Sequence, residues 1–441
     1  MNIRKKDSTA ILNALYGGVV PNRGLEYIIV GRKEESRQIL ADLESVKEGA
    51  SIIKLFIGPY GSGKTFIQAL IKQIAYRQKF VVAQADFAPD RRLYGSERKA
   101  VSTYNELMKN LSIATVQDGN ALPTILEKWI SEVQAKVAQS KGYQSVSYDD
   151  PAFVKDIKNE IYETVTKMDE LTGGFDFAQV IIRYFEGFIQ DDSYLQRSAL
   201  RWLRGEYQTK TEARQDLGVR SSIDDNNYYE YIKVMAHFVR QIGYSGLVVN
   251  LDEAINLYKI DHKQSREKNF EVILKIFNDT LQGSLGGLYI TIGGTPEFLE
   301  DERRGLFSYP ALKSRLVTNR FETSAFRDLS QPVIKLSPLK ADELFVLLDK
   351  IKAIHAVHYG YQSNVTDKEI EGFIRKAYSR PGADENLTAR EIVRDFIAVL
   401  NILYQNPVFN REEAFGAPVQ TSEQKQRETA DKFSRFQRMG G

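Results

Sequence analysis

The sequence predicts an α/β protein: a parallel sheet carrying a phosphate-binding loop, a large helical insertion inside it, and a helical domain after it. Three observations predict this. Residues 58–65 read Gly-Pro-Tyr-Gly-Ser-Gly-Lys-Thr, a complete GxxxxGK(S/T) motif between an apolar run and a helical pattern. Residues 247–254 read Leu-Val-Val-Asn-Leu-Asp-Glu-Ala, a mostly apolar strand that ends in two carboxylates. After Ser337-Pro338-Leu339 the pattern is helical to about Tyr404.

Taken in order, residues 8–20 read as a short helix ending at Gly17-Gly18, followed by a turn at Pro21-Asn22-Arg23-Gly24. Ile28-Ile29-Val30 leads into Gly31-Arg32, then a helix with Ile39, Leu40 and Leu43 on one face. Ile52, Ile53, Leu55, Phe56 and Ile57 suit a buried strand, and Phe66 to Ile71 begin the helix behind the loop. Phe80 to Asp86 read as the next strand, ending in a loop over 89–95. Almost no strand character follows until residue 247. Helical periodicity recurs near 100–112, 122–138, 152–168, 176–190, 195–205 and 228–242, broken by Pro151 and Gly173-Gly174. A parallel sheet needs only one crossover helix there. The excess is therefore an insertion, about residues 120–227. Further strands are expected at 288–292 and 333–336. The organisation expected is an N-terminal helix and linker (1–24), a nucleotide-binding domain (25–336), a helical domain (337–406) and a polar tail (407–441). That tail, which can form a helix over 421–436, is expected to be mobile or to serve as a partner-binding extension.

Composition narrows the class. Hydrophobic residues make up 42% and charged residues 27%, ordinary values for a soluble globular chain. A net charge of +2 gives no global field toward nucleic acid or membrane. With no cysteine, disulfides, thiol nucleophiles and cysteine-bound zinc are excluded, which fits a cytoplasmic protein. The start lacks the apolar core of a signal peptide, and no apolar run is long enough to span a membrane. His355 and His358 lie three apart without a supporting ligand and read as ordinary residues of a helix.

The two motifs complement each other chemically. Loop residues Gly58, Pro59, Tyr60, Gly61, Ser62 and Gly63, with Phe66 just beyond, would curl backbone N–H groups round phosphates at a helix N-terminus. Lys64 would reach the β- and γ-phosphates of ATP, and the Thr65 hydroxyl would ligate Mg²⁺. Phosphoanhydride hydrolysis needs one carboxylate near the metal and one to orient the attacking water. Asp252 suits the first role and Glu253 the second, and an acid directly after the aspartate points to a hydrolase.

Together these residues resemble the AAA+ P-loop NTPases, most closely their origin-recognition/Cdc6-like branch, over about residues 25–405. Within it the chain resembles the ATP-binding proteins of BREX phage-defence systems, the BrxC/BrxD group. The residues that carry this are the loop with Phe66, Asp90 to Gly95, Gly243 to Leu247, and Arg304 to Tyr309. The resemblance implies that the C-terminal helical domain is a lid. It implies a polar sensor at the end of the fourth strand, Thr291 or Thr295. It implies an arginine finger for a neighbouring subunit at Arg315, with Arg303 and Arg304 as competitors. It implies a second sensor at Arg390 and an adenine-packing segment at Val30-Gly31-Arg32.

Two departures matter. Lys64 and Asp252 are separated by the whole insertion, and too few residues follow Tyr404 for a winged-helix domain. DNA contact would have to come from basic clusters such as Arg91-Arg92, Arg98-Lys99 and Arg201 to Arg204. Two function classes follow. One is an oligomeric ATPase driving a defence complex on DNA. The other is a slow ATP-bound switch regulating a partner helicase or methyltransferase.

Overall fold

The computed structural model describes residues 3–143, 147–166, 173–283, 286–317, 319–322, 326–379, 387–406 and 408–416. The helix expected over 421–436 lies outside them. In chain order, α1 (Lys5–Tyr16) and α2 (Lys33–Lys47) precede β1 (Ser51–Ile57), and α3 (Lys64–Arg77) leads to β2 (Val81–Asp86). Then come α4 (Lys99–Lys109), α5 (Leu122–Lys141), α6 (Pro151–Thr166), α7 (Gly174–Ile189), α8 (Ser193–Leu203), α9 (Lys210–Leu217) and α10 (Tyr228–Gln241). β3 (Leu247–Asp252), α11 (Ile255–Tyr258), α12 (Lys263–Leu281), β4 (Leu288–Gly294), α13 (Pro296–Glu300), α14 (Pro310–Leu316) and β5 (Val333–Lys335) follow. The last are α15 (Ala341–Tyr359), α16 (Asp367–Tyr378), α17 (Ala389–Gln405) and α18 (Arg411–Phe415).

Two compact units divide the chain: residues 34–59 with 63–336, and residues 1–33 with 60–62 and 337–441. The first unit holds the α/β sheet expected from the sequence. Its strands run β2-β3-β4-β1-β5, every pair parallel. β3 and β4 are buried along their whole length, as continuous apolar runs in a covered parallel sheet should be. At the β2 edge, Val82 and Ser112 exchange backbone hydrogen bonds of 2.9 and 2.8 Å, which caps an otherwise open strand.

One buried cation organises the opposite edge. Lys54, only 2% exposed, donates from Nζ to the carbonyls of Leu329 (2.9 Å), Ser330 (2.7 Å) and Gln331 (3.0 Å). The Asp42 carboxylate lies 3.7 Å from the same Nζ, and the Tyr289 hydroxyl donates to it at 3.3 Å. Burial pushes the Asp42 carboxyl up and the Lys54 ammonium down. The approach to three-residue β5 is thereby pinned to β1.

The helices between β2 and β3 share one apolar core with the sheet. α10 is the seam. Phe238 meets Trp129 edge-on at 5.1 Å and Phe177 at 5.2 Å, and Tyr231 meets Trp202 at 5.3 Å. Both tryptophans are core residues, 5% and 0% exposed. α9 escaped the periodicity reading because it is eight residues long and mostly polar. Thr209 caps its start and Gly218 its end.

In the second unit α1 packs on α15 and α17. Ile11, Leu344, Leu348, Ile351, Phe396 and Leu400 are buried in it. Phe373 and Phe396 join α16 to α17 at 5.2 Å, and Arg411 clamps Glu369 through two donors at 2.6 and 2.8 Å. His355 is buried, 2.9 Å from the Tyr361 hydroxyl and 3.1 Å from the Asn401 amide oxygen. Among the described residues, no helix is long and apolar enough to cross a membrane.

Candidate functional site

The phosphate-binding loop joins β1 to α3. Gly61 and Gly63 take left-handed backbone conformations, φ +80° and +88°, which a side chain would strain. α3 then begins at Lys64, so its free N–H groups point back into the loop. Lys64 Nζ lies inside that curl, donating to the carbonyls of Gly58 (2.8 Å) and Pro59 (2.9 Å). Burial lowers its pKa, opposed by Asp252, Glu253 and Glu297. These are groups a phosphate oxygen can outbid. The Ser62 hydroxyl is buried without a partner.

The register aligns the acidic group. Asp86 pairs with Asp252 across β2 and β3, and Ile57 with Gly294 across β1 and β4. The carboxyl ends of the strands therefore gather the loop, both acids of β3 and Asp86 at one edge, the usual ligand side of such sheets. Thr65 Oγ1 donates to Asp252 Oδ2 at 3.3 Å, and the Glu253 N–H donates to Asp252 Oδ1 at 2.8 Å. A Cβ on Gly293 would collide with Asp252 Oδ1, so only glycine leaves room for this carboxylate. Burial pushes the Asp252 carboxyl up to about 6, with Glu253 and Asp86 adding to the rise. A divalent cation would relieve that crowding, and the hydroxyl and carboxylate oxygens are the hard ligands Mg²⁺ takes. Glu253 itself is exposed, at φ +57°, a left-handed conformation uncommon for a residue other than glycine.

A family model for the BREX system ATP-binding protein BrxC/D matches residues 3–418. The chain belongs to the BrxC/D family. Its role is thus that of an ATP-binding protein of a phage-defence system. Among curated proteins, none matches the chain.

Other residues singled out in the BrxC/D sequence fall as follows. Thr291 is wholly buried in the middle of β4 and spends its hydroxyl on Asn250 Oδ1 at 2.8 Å. Thr295 stands directly after the strand and caps α13, accepting from Phe298 N–H at 3.5 Å. Arg315 is exposed on α14, with donors on the Ala311 carbonyl (2.7 Å) and Asn278 Oδ1 (3.1 Å). Arg304 lies over the Tyr258 ring at 5.6 Å and bonds the Tyr258 and Ile260 carbonyls, while Arg303 is exposed. In the helical unit, Arg32 is buried and donates to the carbonyls of Ser62 (2.7 Å) and Ser337 (2.8 Å). Gly31 sits at φ +70° against the Glu343 carboxylate, and Val30 follows Ile29, whose carbonyl receives Lys350 Nζ at 2.8 Å. Arg390 donates to the Tyr60 hydroxyl at 3.1 Å.

The basic clusters are largely spent inside the fold. Arg98 holds the carbonyls of Gly205 (2.6 Å) and Tyr207 (2.9 Å), and Arg91 that of Asp86 (3.0 Å). Arg201 bonds Glu212 at 2.8 Å, and Arg204 bonds Asn120. Sequence reasoning missed Gly293 and Asp86. The Gly293-Gly294 pair straight after a strand was the available signal for the first, and register alone reveals the second.

Proposed function

We propose that the chain is a Mg²⁺-dependent, ATP-hydrolysing AAA+ protein that assembles with copies of itself and drives or regulates a phage-defence complex. The observation that carries this reading is the Thr65–Asp252–Glu253 arrangement at the mouth of a phosphate-binding loop. Lys64 and the loop N–H groups hold the β- and γ-phosphates. Thr65 and Asp252 hold Mg²⁺, which when bound neutralises phosphate charge and polarises the terminal phosphoryl group. Glu253, on the strand-end turn and open to solvent, orients the attacking water and takes its proton. Thr295, between the loop-bearing strand and the acidic strand in the sheet order, suits the polar sensor better than Thr291. Arg315, exposed on α14, is the finger offered to a neighbouring subunit, and serving there exchanges its bonds to the Ala311 carbonyl and Asn278 for the phosphate. The unit built of α15 to α17 acts as a lid, with Arg390 as its nucleotide-sensing arginine. Val30 and Gly31 flank the adenine, and Arg32 supports the loop through the Ser62 carbonyl. Partners are engaged through protein surfaces.

One panel of variants tests the reading. Lys64→Ala is expected to weaken ATP binding about tenfold or more. Glu253→Gln is expected to bind ATP normally and hydrolyse it about 10²-fold more slowly. Arg315→Ala and Lys64→Ala, each inactive alone, should regain part of the turnover when mixed. Wild-type turnover by Glu253→Gln, or ATP affinity indifferent to Lys64, would end it.

A further inference from the structure

We propose that Tyr60 is a positioning residue for Arg390, and that this pair sets the preference for ATP over ADP. The inference rests on the reading of Arg390 as the nucleotide-sensing arginine. Tyr60 occupies a variable position of the phosphate-binding motif, where the backbone does the phosphate work and no particular side chain is required. It is nevertheless a tyrosine, and 73% exposed. Such a large ring in the open needs another reason.

The neighbouring geometry supplies one. Arg390 Nη1 donates to the Tyr60 hydroxyl at 3.1 Å, and its Cζ lies 5.6 Å from the centre of the ring. With Nη1 on the hydroxyl and Cζ this far from the centroid, the guanidinium sits at the hydroxyl end of the ring, so the hydroxyl holds it. Both ends of the contact are fixed. On one side, Gly61 has no Cβ and takes the Thr388 methyl against its backbone; a side chain there would overlap Thr388. Thr388 is in turn locked as the N-cap of α17 by a reciprocal pair of bonds with Glu391. On the other side, the Arg390 stem passes over Gly18, where an added Cβ would lie 3.4 Å from Cδ. A free arginine side chain samples many rotamers. Arg390 is itself exposed, so the Tyr60 contact is what orders its head, within the unit that holds Tyr60 and Gly61 of the loop.

An arginine that senses the γ-phosphate must discriminate ATP from ADP. If Tyr60 aims it, removing Tyr60 removes discrimination and leaves general nucleotide affinity. A tyrosine that only stiffened the loop would weaken both nucleotides alike. The test measures dissociation constants for ATPγS and ADP, with Mg²⁺, in the non-hydrolysing Glu253→Gln protein, so no turnover is needed. Arg390→Ala should cut the ATPγS-to-ADP preference by about tenfold, and Tyr60→Ala should match it. Tyr60→Phe, which loses only the hydroxyl, should cut it nearly as far as Tyr60→Ala. The double variant Tyr60→Ala with Arg390→Ala should be no worse than Arg390→Ala alone. Equal weakening of both nucleotides by Tyr60→Ala, or effects that add in full, would overturn the proposal and leave Arg390 its role. An unchanged preference in Arg390→Ala would remove the role of Arg390 and the proposal with it.

Discussion

Asp252 keeps its proton in the folded protein up to about pH 6, against about 3.9 in an unfolded chain. The folded state therefore binds more protons between those values, and stability falls as pH rises through that window. Above it, holding the buried carboxylate ionised costs on the order of 3 kcal/mol. On the proposed reading Asp252 serves the metal and not the fold. Asp252→Asn, neutral and of equal size, is expected to raise Tm of the nucleotide-free protein at about pH 7.5 by about 5 °C. The parent is expected to gain Mg²⁺ affinity between about pH 5.5 and 7.5 as this carboxyl ionises, and Asp252→Asn to lose that rise. A variant that melts below the parent at the higher pH would contradict this account. The acid itself was legible in the sequence, because a strand ending in Asp-Glu is a linear pattern. The space for it was not. Gly293 sits 41 positions further on, and only the β3–β4 register brings it beside the carboxylate. Which of Thr291 and Thr295 stands at the end of its strand was likewise not legible, because the strand runs on to Gly294.

Among elements, β5 has three residues and would be a weak edge strand alone. Lys54 compensates by gathering three carbonyls ahead of it. A lysine in the middle of an apolar strand is a local inconsistency that sequence reading passes over, since its partners lie some 275 residues away. Lys54→Met is expected to destabilise the protein by about 3–5 kcal/mol, because Asp42 stays buried without its cation. Adding Asp42→Asn should recover a large part of that loss. Thermal melts of the two variants check both statements; a single variant that melts with the parent would dismiss the structural role of Lys54. Long amphipathic helices were legible by the same logic that hid this contact. α5, α7 and α10 announce themselves by apolar spacing over several turns. α9 has too few turns to do so.

At the scale of the molecule, the sequence marks where the inserted helices lie but not how they join the sheet, because packing across α10 leaves no trace in spacing. Residues 120–227 look replaceable on paper. In the fold they supply Trp129, Phe177 and Trp202, which cover Phe238 and Tyr231 of α10. A short glycine-serine linker in their place is expected to give an aggregating or partly unfolded protein, read by circular dichroism and size-exclusion chromatography. A monomeric, cooperatively melting product would show that the insertion is dispensable to the sheet. The strand order has a consequence for how the chain matures. β1 and β2 are consecutive in sequence, yet β3 and β4 stand between them in the sheet. β2 cannot pair until β3 begins at Leu247, about 160 residues after β2 ends, and β1 waits longer, until β4 begins at Leu288. At translation rates of roughly 5–20 residues per second, the two apolar strands wait unpaired for about 10–45 s. During that delay the inserted helices, whose contacts are local, are the first part able to fold. They come off the ribosome in time to shelter the strands that precede them.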